Sequence, residues 1–289
     1  MVNNGKQIIE YKVSDSKTIL QILKEDLSFS SRLITKIKNN ILLNEQIVKT
    51  YDTTNVGDIL RIDLSFEETS DNIVPNSEIK LKILYEDEWM LIVDKPPFMP
   101  VHPSINHYED SLSNGVKAYF ESIGLKKKIR PVNRLDKNTT GIVIFAKSEY
   151  IQENLTDYEK YYLAIVHGKT EESGIIDKPI ARKLPSIIER TVRDDGDQAI
   201  TRYKTLEFKN NMSLVECKLE TGRTHQIRVH MASIGHSIIG DDLYGVSSTL
   251  INRQALHAYK IKFVHPVSRK EMVIESELPD DMKSILEQN

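Results

Sequence analysis

The sequence has few of the features that mark secreted, membrane-bound or thiolate-metal proteins. Cys217 is the only cysteine among 289 residues, so no disulfide can form within the chain. No apolar run approaches the ~18 residues that a membrane helix needs, and the N-terminal stretch MVNNGKQIIEYKVSDS has no apolar signal segment. We therefore expect a cytoplasmic protein without membrane contact.

The chain also lacks an excess of charge of either sign. Its 39 Lys and Arg residues are offset by 42 Asp and Glu residues, which gives a net charge of −3. A polybasic nucleic-acid binder is therefore excluded, and any contact with nucleic acid must come from local basic clusters. The hydrophobic fraction of 39% is that of a globular protein, and the length suggests about two domains.

Hydrophobic periodicity predicts two units joined by an acidic segment. Residues 13–65 have the pattern of two short helices followed by strands, which is typical of a small α/β unit. Residues 66–79 contain acidic side chains and no basic residue, and we expect a solvated, mobile linker. The acidic residues of this linker are Glu67, Glu68, Asp71 and Glu78. Residues 80–289 form the second unit.

The second unit is rich in predicted strands. Apolar and charged residues alternate at Val215–Leu219 and at His257–Phe263, as they do in half-buried strands. Helices are predicted at Ser111–Ser122, His225–Ile234 and Asp280–Glu287. Because strands follow one another without regular helical crossovers, we predict an α+β fold with a mainly antiparallel sheet.

The loop before the predicted strand Gly141–Ala146 contains Asp136. A carboxylate in this position can be aimed by the rigid sheet behind it, although the pattern also fits a solvated turn. Between residues 126 and 137 there are six basic residues and one acid, which predicts a phosphate-binding cluster. Its members include Lys126, Lys127, Lys128 and Arg130.

Two further segments contain candidate functional side chains. Thr224 is the predicted N-cap of a helix on which Arg228 can reach inward to pair with a carboxylate, although a surface arginine fits as well. Nearby histidines do not have the spacing of helical metal ligands, so we expect no metal. In an aromatic strand, Tyr161 and Tyr162 must point to opposite faces, and one of them is suited to stacking on a base.

In this order, the segments resemble the RluA-type family of RNA pseudouridine synthases, over residues 80–275. The matching segments are Lys95-Pro96 to Pro103, Arg134-Leu135-Asp136 with Thr139-Thr140-Gly141, Lys160 to Gly168, Thr221 to His230, and Gly240 to Gly245. Residues 13–65 resemble the S4 RNA-binding module, without its usual opening Arg-Leu-Asp.

The resemblance implies that the chain isomerises uridines in structured RNA to pseudouridine without a cofactor. Asp136 takes the position of the essential carboxylate, Arg228 that of its salt-bridge partner, and Tyr162 that of the residue that packs on the target base. The remaining implied RNA contacts, apart from the basic cluster, are Arg134, Arg223, His225 and Gln226, with Arg32 and Lys36 in the first unit.

Alternatives remain open on the sequence alone. Asn133 stands where the family has His, which allows a non-catalytic RNA-binding or ribosome-associated protein. A glycoside hydrolase would need a second carboxylate beside Asp136, and no other motif offers an obvious one. Large-subunit ribosomal RNA is the favoured substrate, transfer RNA the second candidate, and a monomer is expected.

Overall fold

The computed structural model describes residues 6–68 and 72–287, which form a small sheet, a large sheet and a separate β-hairpin. Among these residues, no helix is both long and apolar enough to cross a membrane.

The first unit is a four-stranded sheet in the order β1-β4-β2-β3, covered by a short α-helix that continues as a π-helix (Ile22–Asp26) and by a second short α-helix. Its elements are β1 (Ile8–Lys12), α1 (Ile19–Gln21), α2 (Ser31–Ile37), β2 (Ile41–Leu43), β3 (Gln46–Ile47) and β4 (Ile59–Asp63). As the sequence predicts, Ser30 caps α2, and its Oγ accepts a hydrogen bond from the Leu33 amide at 3.2 Å. Strand β1 pairs with β4 along its whole length, so the unit begins before the predicted boundary at residue 13.

The second unit consists mainly of one ten-stranded sheet. Its strands and the separate hairpin β11–β12 are β5 (Lys82–Glu86), β6 (Met90–Lys95), β7 (Arg130–Pro131), β8 (Thr140–Ala146), β9 (Tyr158–His167), β10 (Ser173–Asp177), β11 (Ile180–Arg182), β12 (Arg190–Val192), β13 (Ile200–Lys209), β14 (Met212–Leu219), β15 (Leu256–Val264) and β16 (Glu271–Glu275). The helices are α3 (Leu112–Ser122), α4 (Glu149–Asn154), α5 (Gln226–Ser233) and α6 (Asp280–Glu287).

The strand order confirms the predicted α+β class. The main path is β10-β13-β14-β9-β15-β8-β6-β5, with β16 beside β15 and β7 beside β8. In this sheet only β15 and β8 run parallel among the described strands, and the other pairs are antiparallel.

The parallel contact depends on Gly141. This residue has a φ of +116°, and a Cβ added there would lie 2.2 Å from the carbonyl oxygen of Ala258. Only glycine allows β8 to approach β15 so closely. The approach places the Thr140 hydroxyl 2.9 Å from Nδ1 of His257, and so anchors the end of the loop that contains Asp136.

The segment after β4 is packed rather than solvated where it is described. The Glu68 side chain is 7% exposed and accepts two hydrogen bonds from Arg130, each at 2.6 Å. The Lys127 ammonium donates to the carbonyl oxygens of Leu64 and Phe66, each at 2.8 Å. The prediction of a mobile linker is therefore wrong for this part of 66–79.

The far end of the same segment packs on α3. Asn114 donates to the carbonyl oxygen of Val74 at 2.7 Å, and the Asn76 amide donates to the carbonyl of Asn114 at 3.1 Å. Asp71, which we predicted to be part of the acidic linker, lies outside the described residues.

Candidate active site

A cavity of 640 Å³ opens beside the loop that joins β7 to β8. Its walls come from three segments that are distant in the sequence, 100–104, 132–139 and 219–228, together with side chains of β9. Asp136 lies in this wall with 27% of its side chain exposed. Among the described residues that line the cavity, Asp136 is the one carboxylate.

Asn133 fixes the course of the Asp136 loop. Its Nδ2 donates to the carbonyl oxygen of Ile142 at 2.9 Å, and its Oδ1 accepts from the amide of Ile144 at 2.8 Å. The side chain therefore joins the loop to the backbone of β8 by one donor and one acceptor. A neutral imidazole also offers one donor and one acceptor, so asparagine supplies the same pair of bonding groups as the histidine of the family.

Arg228 reaches Asp136 from α5, as predicted, but most of its bonding goes to another carboxylate. Its Nη1 lies 3.4 Å from Asp136 Oδ2, whereas Nε and Nη2 bind the two oxygens of Asp241 at 2.7 and 2.8 Å. Burial alone would lower the pKa of Arg228, but the hydrogen bonds and charge of Asp241 outweigh burial and raise it. Asp241 lies in the segment Gly240 to Gly245, and the sequence pattern gave no sign of this role.

His225 is the second group that faces Asp136. Its Nε2 lies 3.7 Å from Asp136 Oδ2, and its Nδ1 lies 2.7 Å from the hydroxyl of Tyr244. That hydroxyl accepts a hydrogen bond from the Arg190 amide at 2.8 Å. We assign the hydrogen of the Tyr244 hydroxyl to the bond with Nδ1 of His225, the acceptor that the described residues offer. The proton of the neutral imidazole then lies on Nε2, which faces Asp136.

The surroundings of His225 favour its neutral form. Burial lowers its pKa, and the guanidinium groups of Arg228 and Arg190 act in the same direction, against the charge of Asp136. His225 itself is the N-cap of α5, with a left-handed φ of +58°. The prediction that Thr224 is the N-cap is therefore wrong, because the chain turns sharply one residue later.

Tyr162 provides the aromatic wall. Its side chain lines the cavity and is 7% exposed. Burial raises the pKa of Tyr162, and the negative charge of Asp136 raises it further, so the ring stays a neutral phenol. Tyr161 points to the opposite face of the sheet, as predicted, where the ammonium groups of Lys260 and Lys218 lie 4.7 and 5.5 Å from its ring centre.

The other predicted residues of this region fall into two groups. Arg134 and Arg223 are exposed at the edge of the cavity, and Arg223 Nε donates to the Gln198 carbonyl oxygen at 3.1 Å. Gln226 is buried, and both ends of its amide are saturated by hydrogen bonds. The amide oxygen accepts from the Thr221 hydroxyl and the Arg223 amide, and the nitrogen donates to the Ile200 carbonyl and the Thr201 hydroxyl. Gln226 therefore holds the loop together, and its prediction as an RNA contact is wrong.

The basic cluster at 126–130 is mostly unavailable to RNA. Lys127 and Arg130 are 3% and 8% exposed, and their charged groups bind the segment after β4, so the prediction that they contact phosphate is wrong. Lys128 is half-buried. Lys126 is exposed and pairs with Glu67 at 3.1 Å.

The predicted basic patch on α2 faces the second unit. Arg32 Nε lies 3.2 Å from Glu149 Oε1, and Lys36 forms an ion pair with the other oxygen of the same carboxylate. Glu149 is the first residue of α4 and is buried. Both side chains thus contact the second unit, but the Arg32 side chain is 73% exposed and stays accessible to RNA, whereas that of Lys36 is 35% exposed.

Comparisons with known proteins identify the family of the chain. Residues 89–233 match the RNA pseudouridylate synthase family. The chain is 36% identical over 271 residues to the protein named uncharacterized RNA pseudouridine synthase YjbO of Bacillus subtilis, covering 90% of this chain and 95% of that protein. It is 37% identical over 246 residues to ribosomal large subunit pseudouridine synthase D of Nitrosomonas europaea, covering 80% and 71%.

The fold agrees with a solved structure as well. The human RNA pseudouridylate synthase domain containing 4 superposes with a TM-score of 0.58 at 23% identity, covering 71% of this chain and 91% of that one. The catalytic unit is thus of the pseudouridine synthase class. The chain belongs to the RNA pseudouridylate synthase family, and its reaction is the pseudouridylation of RNA.

Proposed function

We propose that this enzyme converts specific uridines of large-subunit ribosomal RNA to pseudouridine, with Asp136 as the essential carboxylate. The observation that carries the proposal is the isolation of Asp136, the one carboxylate among the described cavity residues, between Arg228 and His225. A glycoside hydrolase would need a second carboxylate in the same cavity. Asp241 is fully buried and bound to Arg228, so it does not fill that role.

The reaction detaches uracil from C1′ of the ribose, turns the ring and rejoins it through C5. Asp136 acts either as a nucleophile at C1′ or as a base toward the ribose, and both roles require its ionised form. Arg228 and the Nε2–H of His225 hold that form in place. Tyr162 packs against the uracil ring as a neutral phenol.

The target nucleotide must leave its stack to enter the cavity. Extrusion costs a few kcal/mol, and stacking on an aromatic ring returns roughly 1–3 kcal/mol per base. The guanidinium groups of Arg134 and Arg223 lie at the cavity edge. Their contacts with phosphates or bases offset the part of the extrusion cost that stacking does not cover. Ribosomal RNA is favoured over transfer RNA because several similar proteins are named large-subunit synthases.

The first unit is proposed to be an S4-like RNA-binding module. The order of the elements that follow β1, short helices and then the strands β2 to β4, supports this proposal. Of the two α2 side chains that pair with Glu149, that of Arg32 is 73% exposed and remains available for an RNA contact.

The test uses Asp136→Asn on large-subunit ribosomal RNA transcripts labelled with tritium at uridine C5. We expect pseudouridine formation, measured by tritium release, to stop, while the Kd for the transcript stays within about twofold. Retained turnover in this variant would overturn the role of Asp136. A wild-type enzyme that binds ribosomal and transfer RNA but releases no tritium from either would instead favour the non-catalytic alternative.

A further inference from the structure

Lys160 lines the cavity, and its ammonium group has no charged partner among the described residues. It lies on β9 two residues before Tyr162, so the two side chains share a face of the sheet, and both line the cavity. Within residues 6–68 and 72–287, its ammonium has no hydrogen bond or ion pair and meets only the ring of Tyr158, at 5.2 Å from the ring centre. Burial lowers the pKa of Lys160, with no neighbouring carboxylate to offset that effect.

The other buried cations near the cavity are all satisfied within the protein. Arg228 is bound by both oxygens of Asp241. The Lys95 ammonium donates to three backbone carbonyls, those of Pro96, Met99 and Lys137, at 2.8 to 2.9 Å. Lys160 differs because it places an uncompensated charge in a partly desolvated position, where an anionic ligand would be bound strongly.

Gly222 shows where that ligand would approach. It is exposed, and a Cβ added at this position would lie 3.1 Å from the Lys160 ammonium. A side chain there would cover the ammonium, whereas glycine leaves it open to the cavity. Two residues along a strand span about 7 Å, a spacing comparable to the distance between a base and a phosphate of its own nucleotide.

We propose that Lys160 binds a backbone phosphate of the nucleotide whose base packs on Tyr162. This inference rests on the proposed function, because it assumes that the cavity holds an extruded RNA nucleotide. Lys160 would then determine how tightly RNA is held at the cavity, through a contact to the phosphate that any nucleotide provides. Recognition of uracil itself would be left to other groups.

The first experiment compares Lys160→Met with Lys160→Arg, and uses Lys218→Met as the matched control. Lys218 lies on the neighbouring strand β14 and points to the opposite face of the sheet, toward Tyr161, so its removal changes the net charge equally without touching the cavity. The probe is a fluorescently labelled large-subunit ribosomal RNA transcript, titrated at several KCl concentrations.

We expect Lys160→Met to raise Kd several-fold at low salt and to reduce the magnitude of the slope of log K against log salt by about 0.7–0.9, the share of one phosphate contact. Its kcat/KM should fall by about the same factor as the affinity. Lys160→Arg should restore most of the affinity, and Lys218→Met should leave the slope unchanged. An unchanged slope in Lys160→Met, or a fall in kcat at unchanged Kd, would overturn the proposal.

A second experiment needs no turnover. Binding of uridine, uridine 3′-monophosphate and uridine 5′-monophosphate to the full chain is followed by NMR. The wild type should prefer at least one monophosphate over uridine, and Lys160→Met should lose that preference. No preference in the wild type, or the same preference in both, would contradict the contact. If the wild type makes no pseudouridine, the proposed function fails while this measurement still decides the role of Lys160.

Discussion

At the scale of single residues, the site is organised by the division of the Arg228 guanidinium between two carboxylates. Asp241 binds Nε and Nη2 in the buried interior, and only Nη1 faces Asp136, at 3.4 Å. Asp241 thus neutralises most of the charge of Arg228, so Arg228 attracts Asp136 less strongly than an unpaired guanidinium would. Arg228 is therefore a fixed donor beside the Asp136 carboxylate, and the Asp136 oxygens are not enclosed in a tight ion pair.

This division predicts a large effect of Asp241→Asn. The substitution leaves a buried guanidinium without its main counter-charge, which costs about 3–5 kcal/mol, and it frees Arg228 to move from its place beside Asp136. We expect a lower free energy of unfolding, measured with denaturant, together with reduced turnover. Asp242→Asn is the control, because Asp242 is the exposed neighbour. Equal stability of the two variants would show that the Arg228–Asp241 pair contributes little.

His225 predicts a dependence on pH. Because its pKa is lowered by burial, the ring is neutral at neutral pH and takes up a proton only below about 6.5, the ordinary histidine value. Protonation at Nδ1 would leave the Tyr244 hydroxyl hydrogen without its acceptor and place a cation beside Asp136. We therefore expect kcat/KM to fall with decreasing pH in this range.

The matched variant is His225→Asn, since asparagine tolerates the left-handed backbone of this position. Its activity should be lower and its pH–rate profile should lose the acid limb that His225 causes. A limb at the same pH in both enzymes would assign the titration to another group.

At the scale of elements, the loop between β7 and β8 depends on the two hydrogen bonds of Asn133. Asn133→Ala would leave the carbonyl of Ile142 and the amide of Ile144 unsatisfied, at about 1–3 kcal/mol each. We expect lower thermal stability and a larger loss of kcat than of RNA affinity, because the loop aims Asp136. Asn133→His should retain activity, since imidazole offers the same donor and acceptor. A histidine variant as impaired as the alanine variant would show that asparagine has a role beyond these two hydrogen bonds to β8.

Local patterns in the sequence predicted the elements better than the contacts between them. Helix α5 was predicted to within one residue at each end of Gln226–Ser233, because its apolar stripe is a property of consecutive residues. Its N-cap was wrong because His225 adopts a left-handed φ, which hydrophobic periodicity does not report. The partnership of Arg228 with Asp241 was missed because it joins a helix to a turn 13 positions away.

At the scale of the whole molecule, the sequence could not show which charges reach the surface. Arg130 and Lys36 stand in basic clusters along the chain, yet Glu68 and Glu149 bind them in the fold. A basic run predicts a phosphate site only when no acid from another segment packs against it, and one-dimensional patterns do not report that packing. Asp136, Tyr162 and Arg228 each lie in one of the motifs that carry the resemblance, and all three line the cavity, as predicted.

The two units also share one hydrophobic core, which the sequence did not suggest. Residues of the first unit and of the large sheet belong to a single buried cluster that includes Phe29, Trp89 and Tyr150. The rings of Phe29 and Tyr150 lie 4.6 Å apart, and the side chain of Gln7 donates to the carbonyl of Glu88 at 2.7 Å. The first unit is therefore fused to the catalytic unit rather than tethered to it.

This shared core predicts that the chain unfolds in one step. Trp89 is the only tryptophan, and at 8% exposure its fluorescence reports on the junction, while far-UV circular dichroism reports on all elements. We expect the two denaturant transitions to coincide. Phe29→Ala should shift both by the same amount, at a cost of about 3–5 kcal/mol. Ser77→Ala, at an exposed position of the segment between the units, should shift neither. If Phe29→Ala moved the dichroism transition while the Trp89 transition stayed in place, the units would be thermodynamically independent and the shared core would contribute little to their coupling.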